Sequence, residues 1–222
     1  MKELPPVSPF ITRRTARVAR FEPETPTPSA IWIGLHGYRQ LAATFLRHLA
    51  PLRDGARRLV APEALNRFYV GDPDGRHGPE TRVGATWMTR EARELEIDDY
   101  VAYLDALAEA ECAAGVPTVV LGFSQGAHAA ARWMLRGGPE VRAVVLWGEG
   151  LPDEATAEAL ARRPRRWVLV RGEEDPARDP EREARDEERF AASGIEWEVR
   201  YHSGGHRIDR APLLEVAAAL GL

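Results

Sequence analysis

A serine placed between two glycines is the first candidate for chemistry in this chain. Ser124 stands in the run Gly122-Phe123-Ser124-Gln125-Gly126, which follows an apolar stretch and precedes an alanine-rich segment. The pattern predicts a tight, strained turn between a strand and a helix, which holds the serine hydroxyl clear of the backbone. Side chains in place of the two glycines would collide with the neighbouring strand or helix. We interpret Ser124 as a nucleophile, the alternative being a serine that caps the helix.

A serine nucleophile needs a base that removes its proton. Beyond the helix predicted after Ser124, the chain has two histidines, His202 and His206. His202 lies at the end of a predicted strand, whereas His206 lies in the glycine-rich run HSGGHRID, before the last predicted helix. A loop of that kind can turn an imidazole toward the carboxyl edge of a sheet. We predict that His206 is the base and that His202 has no catalytic role.

An acid is needed to orient the imidazole and to stabilise the imidazolium. In the run WVLVRGEEDPARD, the end of a predicted strand is followed by four acids, Glu173, Glu174, Asp175 and Asp179. Asp175 is the best candidate, because a loop of this length can bring its carboxylate beneath the histidine. Glu173 and Glu174 are interpreted as solvated acids of the same loop.

The tetrahedral intermediate of acyl transfer also needs donors for its oxyanion, and the loss of one donor costs ~10²–10³ in rate. One amide is expected from Gln125, the residue after the nucleophile. The other is expected from the loop that follows an early strand, where the run WIGLHGYRQ places Tyr38 just past His36 and Gly37.

Four motifs, LHGY, GFSQGA, RGEEDP and GGHRI, together resemble the α/β-hydrolase superfamily, and in particular its carboxylesterase, phospholipase and acyl-protein thioesterase branch. The run VVLWGEGLP is similar to the segment of that branch that lines the substrate cleft. The resemblance implies an α/β-hydrolase fold, a mostly parallel central sheet flanked by helices. It also implies a catalytic triad of Ser124, Asp175 and His206, with oxyanion amides from Tyr38 and Gln125.

The chain departs from that branch in three places. Tyr38-Arg39-Gln40 stands where the branch has a second glycine shortly after His-Gly, and Arg178 stands where it tends to have an apolar residue. The segment 66–88 also differs from the branch. These departures leave the expected reaction type intact.

Strands and helices alternate along the chain, which predicts crossover units and a mostly parallel sheet. Strands are predicted over 11–21, 30–36, 57–62, 117–123, 141–148, 165–172 and 195–202, and helices near 40–50, 90–113, 125–136, 153–162, 179–192 and 209–220. The first strand alternates with arginines, so we expect an exposed antiparallel edge. Residues 66–88 are predicted to form a long irregular loop. We expect one domain over 1–222 with no large lid, and ligand binding beyond the carboxyl ends of the strands.

Composition excludes several classes of function. The net charge of −4 gives no electrostatic footprint for nucleic acid. Cys112 is the only cysteine, so an internal disulfide and a thiolate zinc cluster are excluded. The remaining histidines lack metal-binding spacing, and we expect no metal and no cofactor. Since the start of the chain lacks a signal peptide and no apolar run could span a membrane, we expect a cytoplasmic protein; a homodimer is left open.

We predict a serine hydrolase that cleaves small carboxylic esters through an acyl-enzyme. Lysophospholipase and acyl-protein thioesterase activities are alternatives within the enzyme class, and a non-catalytic binding protein that keeps the fold is the alternative outside it. Substrate contacts are expected from large side chains near the active edge, although core packing is an equal alternative for each of them: Phe68, Tyr69, Trp87, Met88, Trp147 and Leu151.

Overall fold

The computed structural model describes residues 5–71, 77–162 and 165–222. In these residues the strands are Val18–Phe21 (β1), Ile31–Leu35 (β2), Arg58–Pro62 (β3), Asn66–Tyr69 (β4), Val83–Thr86 (β5), Thr118–Phe123 (β6), Ala143–Trp147 (β7), Trp167–Gly172 (β8) and Trp197–His202 (β9). The helices are Ala42–Leu49 (α1), Arg93–Glu111 (α2), Gln125–Arg136 (α3), Ala157–Ala161 (α4), Pro180–Ser193 (α5) and Arg210–Ala219 (α6).

Seven strands form one sheet in the order β1-β3-β2-β6-β7-β8-β9. Every neighbouring pair is parallel except β1 with β3, so the predicted mostly parallel sheet with an antiparallel edge is confirmed. The central strands β2, β6, β7 and β8 are almost wholly apolar and buried along their length, as expected of strands that are covered on both faces.

Helices cover both faces of this sheet, which confirms the predicted α/β-hydrolase architecture. Successive residues of β6 point to opposite faces: Val120 packs in a core cluster with residues of α2, α3 and α5. Val119 and Leu121 pack in a second cluster with residues of α1 and α6. Within the described residues, no inserted domain covers the carboxyl edge of the sheet.

The segment 66–88 was predicted to be an irregular loop, and this prediction is wrong for the residues that the structure describes. β4 and β5 form a separate antiparallel pair in which Asn66 lies opposite Thr86 and Tyr69 opposite Val83. These four-residue strands contain polar residues and a glycine, so they lack the apolar alternation by which a strand is recognised. Residues 72–76 of this segment lie outside the described residues.

Two predicted boundaries also need correction. The strand predicted over 11–21 comprises only β1, because pairing with β3 begins at Val18. The helix predicted over 153–162 is the shorter α4, which begins after Thr156, whose hydroxyl accepts a hydrogen bond from the Ala159 amide at 3.2 Å. A side-chain oxygen of this kind satisfies an otherwise unpaired amide at the start of a helix, so it marks the boundary.

Candidate active site

The turn at Ser124 has the strained geometry that the sequence predicts. Ser124 has φ 54° and ψ −123°, which is unusual for a residue with a side chain, and helix α3 begins at the next residue. A Cβ atom on Gly122 would lie 2.2 Å from the carbonyl oxygen of Gly126. A Cβ atom on Gly126 would lie 2.1 Å from the carbonyl oxygen of Leu35, the last residue of β2. The two glycines therefore let α3 approach the sheet closely enough to form this turn.

Asp175 and His206 meet at the carboxyl edge, as predicted. The Nδ1 atom of His206 lies 2.6 Å from Oδ2 of Asp175, and the carboxylate is buried with 1% of its side chain exposed. The two loops can approach because Gly172 has no side chain: a Cβ atom there would lie 2.3 Å from the carbonyl oxygen of Gly204. Since a carboxylate can only accept, Nδ1 of His206 carries the proton and Nε2 is free to act as a base.

The imidazole of His206 lies beside the turn that carries Ser124, where two residues contact it. Its ring lies 5.0 Å from the ring of Phe123, the residue before Ser124. A Cβ atom on Gly148, which has φ +72°, would lie 3.0 Å from Cε1 of the imidazole, so this glycine makes room for the ring. Neither Ser124 Oγ nor His206 Nε2 hydrogen bonds to another described residue; bonds between catalytic groups are commonly long until a substrate is present.

The loop over residues 37–40 leaves one amide unpaired at the predicted oxyanion position. The Gly37 amide donates to Gln40 Oε1 at 2.7 Å, the Gln40 amide donates to the Gly37 carbonyl at 3.2 Å, and the Arg39 amide donates to the Ala85 carbonyl at 3.0 Å. The Tyr38 amide has no hydrogen-bond partner among the described residues. The neighbouring Arg39 has φ 67°, a conformation that favours glycine.

His36 orients the peptide that carries this amide, a role that the sequence analysis missed. Its Nε2 atom accepts a hydrogen bond from the Ala64 amide at 3.0 Å, so Nδ1 carries the proton and donates to the Gly37 carbonyl at 2.8 Å. Because the carbonyl and the next amide of a trans peptide point in opposite directions, this bond also sets the direction of the Tyr38 N–H. Burial lowers the pKa of His36, which keeps the ring neutral.

Arg178, one of the departures from the resembled branch, holds the loop of the acid. Its guanidinium donates two hydrogen bonds of 2.8 Å to the carboxylate of Glu183, and its amide donates to the Asp175 carbonyl at 3.2 Å. The hydrogen bond to Glu183 raises the pKa of Arg178 and the same bond lowers the pKa of Glu183. This charged pair connects α5 to the segment that carries Asp175.

The predicted substrate contacts separate into surface and core residues. Phe68 is half-buried and stacks on the half-exposed ring of Tyr38 at 5.2 Å, beside the oxyanion loop. Tyr69 is also half-exposed and stacks on His77 at 3.8 Å. Met88 is half-buried and packs against the core.

The other three predicted contacts pack in the core, which corrects the expectation that their side chains face the cleft. Trp87, Trp147 and Leu151 have at most 1% of their surface exposed. The indole of Trp87 donates to the His36 carbonyl at 2.8 Å, and the indole of Trp147 donates to the Arg207 carbonyl at 2.9 Å. These side chains hold site loops in place from beneath.

The sequence analysis also missed a polar cluster that is formed by His128, Glu149 and Arg182. Nε2 of His128 lies 3.1 Å from Arg182 Nη2, and since a guanidinium has only donors, the histidine nitrogen is the acceptor. Burial, together with the charges of Arg182 and Arg132, lowers the pKa of His128 to about 4. Glu149 lies 3.6 Å from both His128 and Arg182, and burial raises the pKa of its carboxyl group. His128 therefore packs as a neutral ring.

A family model described as serine hydrolase (FSH1) matches residues 32–212, a range that includes Ser124, Asp175 and His206. The chain belongs to the FSH1 serine hydrolase family. A comparison with curated proteins gives no match. The structural neighbours described next share the predicted α/β-hydrolase fold.

Solved structures with the same fold include several hydrolases. Esterase PE8 has a TM-score of 0.73 and 20% sequence identity, over 94% of this chain and 99% of that chain. Acyl-protein thioesterase 2 of Zea mays has a TM-score of 0.67 and 19% identity, over 93% and 98%. A phospholipase/carboxylesterase of Dyadobacter fermentans has a TM-score of 0.65 and 16% identity, over 96% and 99%. At these identities the likeness is one of fold.

Two further observations apply to the described residues alone. Over 5–71, 77–162 and 165–222, no group of three histidine, cysteine, aspartate or glutamate side chains could hold a metal ion. None of the helices in these ranges has the length and apolarity needed to span a membrane.

Proposed function

We propose that this FSH1-family serine hydrolase cleaves small carboxylic esters, with Ser124 as nucleophile, His206 as base and Asp175 as the acid that orients the base. The observation that carries the proposal is the 2.6 Å contact between His206 Nδ1 and the buried Asp175, set beside a serine in a strained turn. The contact supports a tautomer that carries the proton on Nδ1 and leaves Nε2 available as the base.

In the acylation step, His206 Nε2 takes the proton of Ser124 as the serine oxygen attacks the ester carbonyl. The oxyanion that forms accepts hydrogen bonds from the amides of Tyr38 and Gln125. Collapse of the tetrahedral intermediate breaks the bond to the alcohol, which leaves with the proton held by the imidazolium. Asp175 stabilises the imidazolium during this step and remains ionised.

In the deacylation step, His206 removes a proton from water as the water attacks the acyl-enzyme. The same two amides stabilise the second oxyanion, and Ser124 recovers its proton when the acid product leaves. Both steps use only groups of this chain and water.

Small acyl groups are the substrates that we propose for this site. The stacked pair Tyr38 and Phe68 offers aromatic surface at the proposed oxyanion loop, against which a short acyl group can pack. Glu149 and Arg182 place charged groups on the other side of the cleft, where a long alkyl chain would displace their hydration. A thioester reacts through the same intermediate, so the two leaving groups are to be compared directly.

The test is labelling with a fluorophosphonate probe, followed by peptide mapping and by hydrolysis of p-nitrophenyl esters of increasing chain length. We expect stoichiometric labelling at Ser124, and loss of both labelling and turnover in Ser124→Ala with an unchanged circular dichroism spectrum. The chain-length series, with a matched acyl thioester, separates an esterase from a lysophospholipase or a thioesterase. A well-folded wild type that is neither labelled nor active would refute the proposal and favour a non-catalytic binding protein.

A further inference from the structure

The two amides proposed for the oxyanion hole belong to distant parts of the chain. Gln125 opens helix α3, directly after β6, whereas Tyr38 lies in the loop that follows β2. The register of the sheet places Leu35 beside Gly122, and so fixes the ends of the two strands. It does not fix Tyr38, because Tyr38 lies beyond the last residue of β2 and next to a residue with positive φ.

The hairpin β4–β5 supplies the missing support on the side of Tyr38. The amide of Arg39 donates to the carbonyl of Ala85 at 3.0 Å, and the amide of Ala85 donates to the carbonyl of Gln40 at 3.1 Å. Gly84 lies so close to this loop that a Cβ atom there would be 2.6 Å from the carbonyl oxygen of Arg39. The loop is thus hydrogen-bonded to both the carbonyl and the amide of Ala85 in β5.

The same strand is fastened to the side chain of Gln125. Gln125 Nε2 donates to the hydroxyl of Thr86 at 2.8 Å and to the carbonyl of Met88 at 3.0 Å. Gln125 Oε1 lies 3.1 Å from both the Thr86 hydroxyl and the amide of Trp87. The side-chain amide of Gln125 is therefore bound through both its oxygen and its nitrogen to the residues that follow Ala85.

We infer that Thr86 is a positioning residue that acts through the side chain of Gln125 to set the separation of the two oxyanion amides. One uninterrupted series of contacts runs from the Gln125 backbone through its side chain to Thr86, Ala85 and the loop that carries Tyr38. Thr86 has 4% of its surface exposed, so its hydroxyl is held by these contacts rather than by bulk water. This inference rests on the proposed function, since it concerns how the oxyanion of that reaction is stabilised.

The test compares Thr86→Val, which keeps the shape of the side chain and removes its hydroxyl, with Thr86→Ser, which keeps the hydroxyl. A displacement of about 1 Å in a catalytic group costs on the order of 10²-fold in rate, and the complete loss of an oxyanion donor costs ~10²–10³. We expect Thr86→Val to lower kcat for p-nitrophenyl acetate by roughly 10- to 100-fold, with KM changed by less than about twofold. Thr86→Ser is expected to retain kcat within about threefold.

Thr118→Val provides a matched control. Thr118 is also a strand threonine, with 3% of its surface exposed, and its hydroxyl donates to the Val116 carbonyl at 3.5 Å. It begins β6, whereas Ser124 follows the other end of that strand. Thr118→Val should keep kcat, and thermal unfolding of both variants separates a loss of kcat from a loss of stability.

A double-mutant cycle with Gln125→Met tests whether Thr86 acts through the side chain of Gln125. Gln125→Met keeps the backbone amide and removes all the side-chain hydrogen bonds, so it should lower kcat at least as much as Thr86→Val. If Thr86 acts through Gln125, Thr86→Val will have little further effect in the Gln125→Met background, because residues that share one network are not additive. Where Thr86→Val fails to fold, Thr86→Ala takes its place in the cycle.

The outcomes distinguish this inference from the proposed function. An inactive, unlabelled wild type would remove the proposed function before any variant is made. An active wild type together with Thr86→Val of unchanged kcat, or with fully additive losses in the cycle, would overturn the positioning role and leave the proposed function standing.

Discussion

Replacement of Gly84 by alanine should displace the oxyanion loop by an amount that the structure allows us to estimate. The new Cβ atom would lie 2.6 Å from the carbonyl oxygen of Arg39 and 2.8 Å from its Cα and carbonyl carbon. Ordinary contacts begin at 3.4 Å, so 3.4 − 2.6 gives a displacement of about 0.8 Å. The atoms in the way are backbone atoms, which cannot rotate aside as the end of a flexible side chain can.

A displacement of this size should reduce turnover without unfolding the protein. Because about 1 Å of misplacement costs on the order of 10²-fold, we expect kcat for p-nitrophenyl acetate to fall by roughly 10- to 100-fold. The amide of Tyr38 moves with the backbone of its neighbour Arg39, whereas Ser124, Asp175 and His206 are held by other loops. KM should therefore change much less than kcat, because the missing interaction forms with the oxyanion of the transition state.

Gly78→Ala is the control for this prediction. Gly78 belongs to the same β4–β5 connection, has no positive φ, and has no atom of the described residues within 4 Å of the position of a new Cβ. It should leave kcat and the melting temperature unchanged. If Gly84→Ala folds and has the kcat of the wild type, the oxyanion loop is not held by contact with β5, and the reasoning from Gly84 is refuted.

Two further predictions concern residues on either side of the cleft. His128 has a folded-state pKa of about 4, below its unfolded value, so it stabilises the fold above about pH 6.5 and that stability is lost as the pH falls toward 4. At 1.36 kcal/mol per pH unit, the loss of stability amounts to roughly 3 kcal/mol. His128→Gln should therefore flatten the dependence of the unfolding free energy on pH in this range, whereas His48→Gln, at an exposed position, should not. Identical curves for the wild type and both variants would contradict this prediction. Phe68→Ala should change the preference among p-nitrophenyl esters of different chain length. Leu151 is fully buried, so Leu151→Ala should cost about 2–5 kcal/mol of stability and leave that preference unaltered. The reverse pattern would show that Leu151 contacts the substrate.

The candidate triad could be predicted because each of its residues lies in a short sequence motif. A strained serine needs glycines on both sides, and these stand within two residues of Ser124 in the sequence. Asp175 could be selected from four neighbouring acids only by the expected length of its loop. The structure supplies a physical reason: Asp175 is buried against His206, while Glu173 and Glu174 are exposed.

The hairpin β4–β5 could not be predicted, and neither could its contacts with Gln125. Its strands are short, polar and glycine-containing, so they lack the periodicity of a half-buried strand. The hydrogen bonds of Thr86 join residues that are 39 positions apart. A preference for glutamine after the serine is visible in the sequence motif, but its partner is visible only in the folded chain.

The sequence by itself determined the strands of the seven-stranded sheet, the helices between them and the candidate residues for acyl transfer. It did so because apolar runs and glycine-flanked turns constrain the backbone over a few residues at a time. Only the tertiary structure decided which large side chains stay near the surface: Phe68 stacks on Tyr38, whereas Trp147 and Leu151 pack in the core. Burial depends on which distant elements cover a side chain, and that information does not exist in any local pattern.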